Sequence, residues 1–381
     1  MRVTVKPELL NWARERAGLD AEQLLKRFPK FEDWERGELE PTLKQLETFA
    51  KAVHAPIGYL FLDAPPEELL PVPDFRTMAQ AAQQHASPDL LDTIYLCQQR
   101  QEWYRDHARL HGESVLSFVG KTGTGNNIER VAAEIRHALT FDLQERQDLP
   151  TWAEALRHFV EQVERLGVLV MVSGVVGSNN KRKLDPEEFR GFALVDELAP
   201  LVFINGADTK AAQMFTLAHE LAHIWLGKSG VSDAQVAIIP DNKVEHWCNI
   251  VAAEVLAPLA SVRQAYEVGA ELHSEIQRLA RVFKVSTLVV LRRLFDVGAI
   301  SQERLWTTYR EELARLRSLQ RGGSGGGDFY RTLGVRVSKR FARAVVASTL
   351  EGQTLFRDAF RMLGIKKPAT FYQAARELGV R

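Results

Sequence analysis

The chain has 381 residues, which is long for one compact domain and predicts two or three domains. Hydrophobic residues make up 45% of it and charged residues 26%, a composition that excludes wholesale disorder. The 49 lysines and arginines balance the 49 aspartates and glutamates, so no whole-chain field draws the protein to nucleic acid or to an anionic membrane.

Cysteine usage and hydropathy predict a cytoplasmic protein. The two cysteines, Cys97 and Cys248, do not make a disulfide framework and suit a reducing compartment. The charged N-terminus lacks the apolar core of a signal peptide. No stretch approaches the roughly 18–20 apolar residues of a membrane span, so we expect no membrane partner.

Residues 1–62 form the first predicted domain, which is small and helical. Its apolar residues recur at helical spacing, and Gly18, Gly37 and Pro41 punctuate the pattern. A proline-rich run that ends at Pro73 follows, and it has little capacity for helix. We therefore expect this run to be the exit from the first domain.

Residues 63–318 form the second predicted domain. Helical patterns dominate both of its ends, and three short β-branched runs lie between them, at 168–172, 190–195 and 200–204. The last two runs are close enough to pair as a hairpin. The sequence therefore predicts a helical domain with a short antiparallel β-sheet.

The rest of the chain divides into a linker and a basic segment. Glycines dominate 319–327, which predicts a flexible linker. Residues 328–381 hold 11 lysines and arginines against 4 aspartates and glutamates, a net charge of about +7. Apolar spacing there predicts two or three short helices. The predicted fold class for the whole chain is mainly α (α+β).

The strongest motif is His219-Glu220-Leu221-Ala222-His223, in a stretch with helical character. Asp208 or Thr209 can cap the start of this helix, and Gly227 is well placed to end it. Residues four apart lie on one helical face, so both imidazoles can bind one ion. Glu220 is turned by about 100° from His219 and can reach a metal-bound water, the general-base position of this motif. The alternative is a purely structural core helix whose two histidines are hydrogen-bonded, but it leaves the buried carboxylate of Glu220 unexplained.

Catalytic zinc requires three protein ligands and one open position. Glu245 is the favoured third ligand, because it opens a predicted helix 22 residues after His223. Asn249, one turn later on the same face, is placed to hydrogen-bond the far nitrogen of a liganding histidine. Glu254 is the weaker candidate, because nine residues along a helix place it on the opposite face.

Three other side chains are candidates for roles around the metal. Cys248 is best explained as a small packing residue. His246 and Arg190 could each donate to the oxyanion of a tetrahedral intermediate, as could backbone groups.

The same residues carry a family resemblance. The runs Phe215–His223, Glu245–Asn249 and Ala252–Pro258 resemble the ImmA/IrrE metallopeptidase pattern FTxAHELxH, ExxAN and FAAxLLMP. The sequence departs from this pattern at four packing positions: Cys248, Val251, Val255 and Ala257. The resemblance covers about residues 130–310.

This resemblance implies a zincin-like domain with a gluzincin-like zinc site, and a helix-turn-helix repressor cleaved at one bond as the substrate. Zinc is expected to lower the pKa of its bound water while Glu220 takes the proton. The hairpin strands before the helix could offer an edge to an extended substrate segment.

The first domain resembles the XRE class of helix-turn-helix domains through Trp34-Glu35-Arg36-Gly37 and Pro41. Between the second helix and Trp34, however, only residues 29–33 remain, so the base-reading turn is missing. Residues 1–62 also balance 10 basic against 10 acidic residues, which offers little affinity for phosphate. DNA binding is therefore doubtful, and docking onto a protein partner is the favoured role.

Three functions compete. The leading one is a zinc endopeptidase that controls transcription or a stress response by cleaving a helix-turn-helix repressor or similar protein. The second is a non-cleaving binding regulator, such as the antitoxin that holds a toxin in a toxin–antitoxin module. The third is a DNA-binding transcriptional regulator. An intact HExxH motif favours the first, because a pure binding protein has no use for Glu220.

Overall fold

A computed structural model describes residues 1–75, 86–232, 242–320 and 329–380 of the chain. It divides into two compact units. The first unit comprises Met1–Pro71 and the described residues from 86 to Tyr95. The second comprises the described residues from Val72 to 75 and those from Leu96 onwards. Among the described residues, no helix is both long and apolar enough to cross a membrane.

The first unit is helical, as predicted. Its elements are α1 (Pro7–Arg16), α2 (Ala21–Arg27), α3 (Phe31–Glu35), α4 (Leu43–Ala52) and a 3₁₀ helix (Ile57–Phe61). A capping box at Thr42 and Gln45 begins α4. Leu9, Phe31, Trp34 and Phe49 are among the residues of its core. Both aromatic residues of α3, Phe31 and Trp34, therefore pack in the core of this unit.

The second unit contains the remaining helices and the sheet. Helix α5 (Pro88–Leu110) begins in the first unit and ends in the second. Before the central helix lie α6 (Ile128–Leu139), α7 (Leu143–Asp148), α8 (Trp152–Leu166), β1 (Leu169–Ser173), β2 (Gly191–Leu194) and β3 (Leu201–Asn205). The central helix α9 (Lys210–Leu226), β4 (Gly230–Ser232), α10 (Lys243–Leu256), α11 (Leu259–Ala265), α12 (Leu272–Phe283), α13 (Thr287–Asp296) and α14 (Gln302–Gln320) follow. At the C-terminus lie α15 (Phe329–Val337), α16 (Lys339–Leu350), α17 (Phe356–Leu363) and α18 (Pro368–Glu377).

The sheet has four strands in the order β1-β3-β2-β4. The predicted hairpin is confirmed, because β2 pairs antiparallel with β3 and places Gly191 opposite Ile204. The prediction of a wholly antiparallel sheet is wrong, because β1 runs parallel to β3. The mainly helical fold class with a small sheet is confirmed, and the sheet is mixed.

Helices α9 and α10 form the centre of the second unit. Every residue of α9 from Gln213 to Leu226 is buried, and the helix packs against α10, α8 and β2. A helix that is apolar on all sides is expected at the centre of a domain, and polar side chains on it require partners. His219, Glu220 and His223 are therefore exceptions that the fold must accommodate.

The C-terminal helices belong to the second compact unit, and the bounds 328–381 of a C-terminal domain stay a prediction. Helix α15 packs against the edge strand β1, and buried Glu164 of α8 accepts hydrogen bonds from Ser338 and from the Lys339 backbone N–H. The predicted linker 319–327 lies outside the described residues, apart from its first two residues, which end α14.

Candidate metal centre

The HExxH helix begins and ends where the sequence predicts. The Thr209 side chain accepts a hydrogen bond from the Ala212 N–H at the start of α9, and Gly227 adopts the left-handed conformation (φ 71°) at its end. These caps fix the length of a helix whose middle is fully buried. His219, Glu220 and His223 are each 0% exposed.

His219, His223 and Glu245 converge in the interior. Their ligand-type atoms all lie within 4.8 Å of one another, and among the described residues no other group of three or more such side chains does this. Nε2 of His219 lies 3.1 Å from Nε2 of His223 and 3.1 Å from Oε2 of Glu245. Nε2 of His223 lies 2.8 Å from Oε1 of Glu245. The structure therefore gathers the three residues that the sequence favours as ligands.

The charges of this cluster are coupled. Burial alone would raise the pKa of Glu245, but the two histidines outweigh burial and lower its pKa to about 2. Oε1 of Glu245 has no hydrogen-bond partner among the described residues, although Nε2 of His223 is close to it. The three side chains therefore bring two imidazole nitrogens and a carboxylate to one point in the interior.

Glu220 has two oxygens in different surroundings. Oε1 accepts a hydrogen bond from the hydroxyl of buried Ser232 on β4, and Oε2 has no partner among the described residues. Burial raises the pKa of Glu220 to about 8, although nearby His223 and Ser232 partly oppose this. A bound divalent cation would lower this pKa. The arrangement holds one oxygen in place and leaves the other available for a proton.

Gly191 makes room for this carboxylate. A Cβ at this position would lie 2.5 Å from Cγ2 of Thr216, 2.8 Å from the Phe203 carbonyl oxygen and 3.2 Å from Oε1 of Glu220. The first residue of β2 therefore lies against the helix face that carries the base, and only glycine fits there without displacing its neighbours.

Phe75 lies on the other side of the cluster. Its ring stacks on the imidazole of His223, with 5.6 Å between ring centroids and 12° between planes. Gly191, Ser232 and Phe75 were all missed by sequence reasoning. The serine and the phenylalanine carry no motif, because their contacts with α9 are made only by the tertiary fold.

The remaining predicted site residues have mixed outcomes. Asn249 is buried one turn after Glu245. Its predicted hydrogen bond to a histidine is not formed, because Nδ1 of His219 and of His223 lacks a partner among the described residues. His246 is half-buried on α10. Arg190 forms an ion pair with Asp208, with 3.1 Å between Nη1 and Oδ2. The oxyanion roles of His246 and Arg190 stay predictions.

Two residues near the cluster belong to the core. Glu254 forms a buried ion pair with Arg293 and is not one of the three clustered residues. Burial, assisted by the nearby carboxylates, raises the pKa of Cys248 well above its usual value. A thiol of this kind is a packing residue rather than a nucleophile.

Two histidines of α9 and a glutamate of α10, the next long helix, thus lie together beside a small sheet. Residues 163–295 match a peptidase family model described as an IrrE N-terminal-like domain. Residues 337–377 match a domain of unknown function (DUF8813). No curated protein matches the chain.

The first match contains all three clustered residues, and it supports the resemblance to ImmA/IrrE metallopeptidases. Neither match reaches the first unit, so its XRE-type resemblance stays a prediction.

Proposed function

We propose that the protein is a zinc-dependent endopeptidase that regulates transcription or a stress response by cleaving a helix-turn-helix repressor or a similar partner. One observation carries this proposal. His219, His223 and Glu245 bring two imidazole nitrogens and a carboxylate together in the interior, and Glu220 lies beside them on the same helix as the histidines.

The donor set fits zinc. Two histidine nitrogens and one glutamate oxygen are the ligands of many catalytic zinc sites, which keep a fourth position open. Ligand atoms about 2.0–2.1 Å from one tetrahedral ion lie roughly 3.3 Å apart. The 2.8–3.1 Å separations here are close to this value. His219, His223 and Glu245 would hold the ion, and zinc would supply Lewis-acid activation of water and of the scissile carbonyl.

Glu220 performs the proton chemistry in this proposal. Its Oε2 accepts the proton from the attacking water, while the hydroxyl of Ser232 keeps Oε1 in place. The carboxylate then returns the proton to the leaving amine. Burial of the whole group excludes bulk water, which strengthens each of these interactions.

The first unit supports a protein partner rather than DNA. Helix α3 has only five residues, and it buries Phe31 and Trp34. Its other three residues are acidic: Glu32 is exposed, and Asp33 and Glu35 are half-buried and paired with Arg36 and Arg14. The helix therefore offers no basic side chain of its own to a phosphate. We therefore propose that this unit docks onto a helical protein, with a helix-turn-helix repressor or a toxin as the partner class.

The test uses the full chain and the helix-turn-helix protein or toxin encoded beside it. Zinc would be measured by atomic absorption, and cleavage by intact mass. We expect the wild type to bind one zinc and to cut its partner. Glu220→Gln should keep the zinc and form the complex without cutting. Equal cutting by both proteins would overturn the assigned base, and tight binding without zinc-dependent cutting would favour the antitoxin-like regulator.

We also propose that the protein works in the cytoplasm. Both cysteines are buried free thiols, which supports a reducing compartment such as the cytoplasm.

A further inference from the structure

Strand β4 is the edge strand nearest the metal centre, and a distant piece of the chain pairs with it. The Phe75 N–H donates to the Val231 carbonyl at 2.9 Å, and the Val231 N–H donates to the Pro73 carbonyl at 3.0 Å. Asp74 forms a parallel bridge with Val231. Residues 73–75 thus lie along β4 as an added strand, within the second unit.

The side chain of Phe75 lies in a site formed by His223 and Gly230, which we call the aromatic seat. One face of its ring stacks on His223. A Cβ on Gly230 would lie 2.2 Å from Cε2 of Phe75 and 3.1 Å from the Pro73 carbonyl oxygen. Because Gly230 lacks a side chain, the ring and the strand can come this close to β4.

The same edge is tied to the proton chemistry. Ser232, next to Val231 on β4, donates its hydroxyl hydrogen bond to Glu220. Strand β4 therefore makes three contacts: Ser232 hydrogen-bonds Glu220, Val231 pairs with residues 73–75, and Gly230 packs against the ring of Phe75. A peptide strand on this edge lies beside both Glu220 and His223.

We propose that residues 73–75 are an internal occupant of the peptide-binding edge, and that a substrate binds there in their place with an aromatic side chain over His223. The inference rests on the proposed function, because it takes this edge as the one that receives substrate. Strand addition supplies main-chain hydrogen bonds for any sequence, and the seat at Gly230 adds selection for an aromatic residue.

Exchange requires residues 73–75 to leave β4. Among the described contacts, two backbone hydrogen bonds to Val231 and the ring of Phe75 against Gly230 join them to this strand, and Pro73 and Asp74 are exposed. Because the segment belongs to the same chain, it competes at a high effective concentration. The affinity for an added peptide is then reduced by the fraction of molecules in which the edge is open.

The test is a binding measurement that requires no cleavage. The zinc-loaded full chain carrying Glu220→Gln is titrated into a fluorescent peptide amide with the sequence of residues 70–75, and polarisation is recorded. Adding Phe75→Ala to the protein should increase peptide affinity by roughly tenfold or more, since the competing segment loses its ring. The same peptide with alanine as its last residue should bind more weakly to both proteins.

Two further variants show where the peptide binds. Gly230→Ala, added to the Phe75→Ala protein, should abolish the gain, because the new methyl group fills the aromatic seat. Phe61→Ala removes another phenylalanine, 50% exposed in the first unit, and should leave peptide affinity unchanged. Zinc content and thermal unfolding establish that each variant is folded and loaded.

Three results would overturn the inference. They are equal peptide affinity with and without Phe75, no measurable binding to either loaded protein, and loss of zinc from Phe75→Ala, which would make the ring a structural cover for His223. Failure of the proposed function is a different result: peptide binding behaves as described, but the protein with Glu220 restored cuts no partner.

Discussion

At the scale of single residues, Ser232 is expected to set the efficiency of Glu220. Its hydroxyl donates to Oε1 of the carboxylate, and both groups are fully buried. A hydrogen bond to a charged group contributes about 1.5–3 kcal/mol, which corresponds to roughly a 10–160-fold change in rate. Ser232→Ala should therefore lower kcat by this factor and leave the zinc content unchanged. Steady-state cleavage kinetics with metal analysis make the measurement.

Ser229 provides the matched control. It lies just before β4, and its hydroxyl accepts a hydrogen bond from the Val195 N–H at 2.8 Å. Ser229→Ala removes a comparable hydroxyl without touching Glu220, so kcat should stay near the wild-type value. If the two variants behave alike, Ser232 has no positioning role.

Two buried glutamates on α10 should respond differently to the same change. Glu245→Gln removes a proposed ligand, so zinc affinity should fall by more than the roughly 10–100-fold that changes to outer partners of ligands cost. Glu254→Gln removes the more deeply buried of the two carboxylates that pair with the Arg293 guanidinium, the other being Asp296, and should lower the free energy of unfolding by about 3 kcal/mol. Zinc titration and urea unfolding separate the two effects. Similar zinc losses in both variants would contradict the assignment of ligands.

The sequence predicts the clustered residues well and their surroundings poorly. His219 and His223 share a helical face whatever the fold, and helical phase separates Glu245 from Glu254. Ser232 and Phe75 approach α9 only through strand pairing, which no local spacing encodes. The predicted role of Asn249 failed at this level, because helical phase gives the face of a residue but not the hydrogen bond that it makes.

At the scale of elements, the close contact between β2 and α9 gives a test of packing. A methyl group at Gly191 meets a side chain and a backbone oxygen at under 3 Å. Gly191→Ala should therefore cost about 1–3 kcal/mol of unfolding free energy and disturb Glu220. Gly58 in the 3₁₀ helix has nothing within 4 Å of the added atom, so Gly58→Ala should be nearly neutral. Urea unfolding of both proteins makes the comparison, and an equally stable Gly191→Ala would show that β2 can move away.

Local and distant strand pairings were not equally predictable. Six residues separate the end of β2 from the start of β3, so their antiparallel pairing follows from proximity along the chain. Strand β1 reaches β3 across a much longer connection, and no hydrophobic pattern states the direction of such a pairing. The mixed sheet was therefore outside what the pattern could predict.

At the scale of the whole molecule, the C-terminal helices complete the second unit. Composition separates residues 328–381 from the rest, because they are basic and follow a run of glycines. Packing joins them to it. Arg100, buried on α5, donates to the Met362 carbonyl at 3.1 Å, and buried Glu164 is bonded from α16. The basic charge of residues 328–381 and the glycines before them describe the surface of this segment. They do not predict which buried groups of the rest of the chain it packs against.

Truncation tests this view directly. A chain that ends at Gln320 would lose the helix packed on β1 and leave Arg100 and Glu164 without these partners. Burial lowers the pKa of Arg100 to about 10, which shows the cost of holding its charge there. The truncated protein should therefore unfold at a temperature several degrees lower, with an added tendency to aggregate through the exposed edge of β1. Differential scanning calorimetry and light scattering make the measurement. An unchanged unfolding temperature would show that residues 328–381 are a separate domain, because an appendage can be removed without exposing a core.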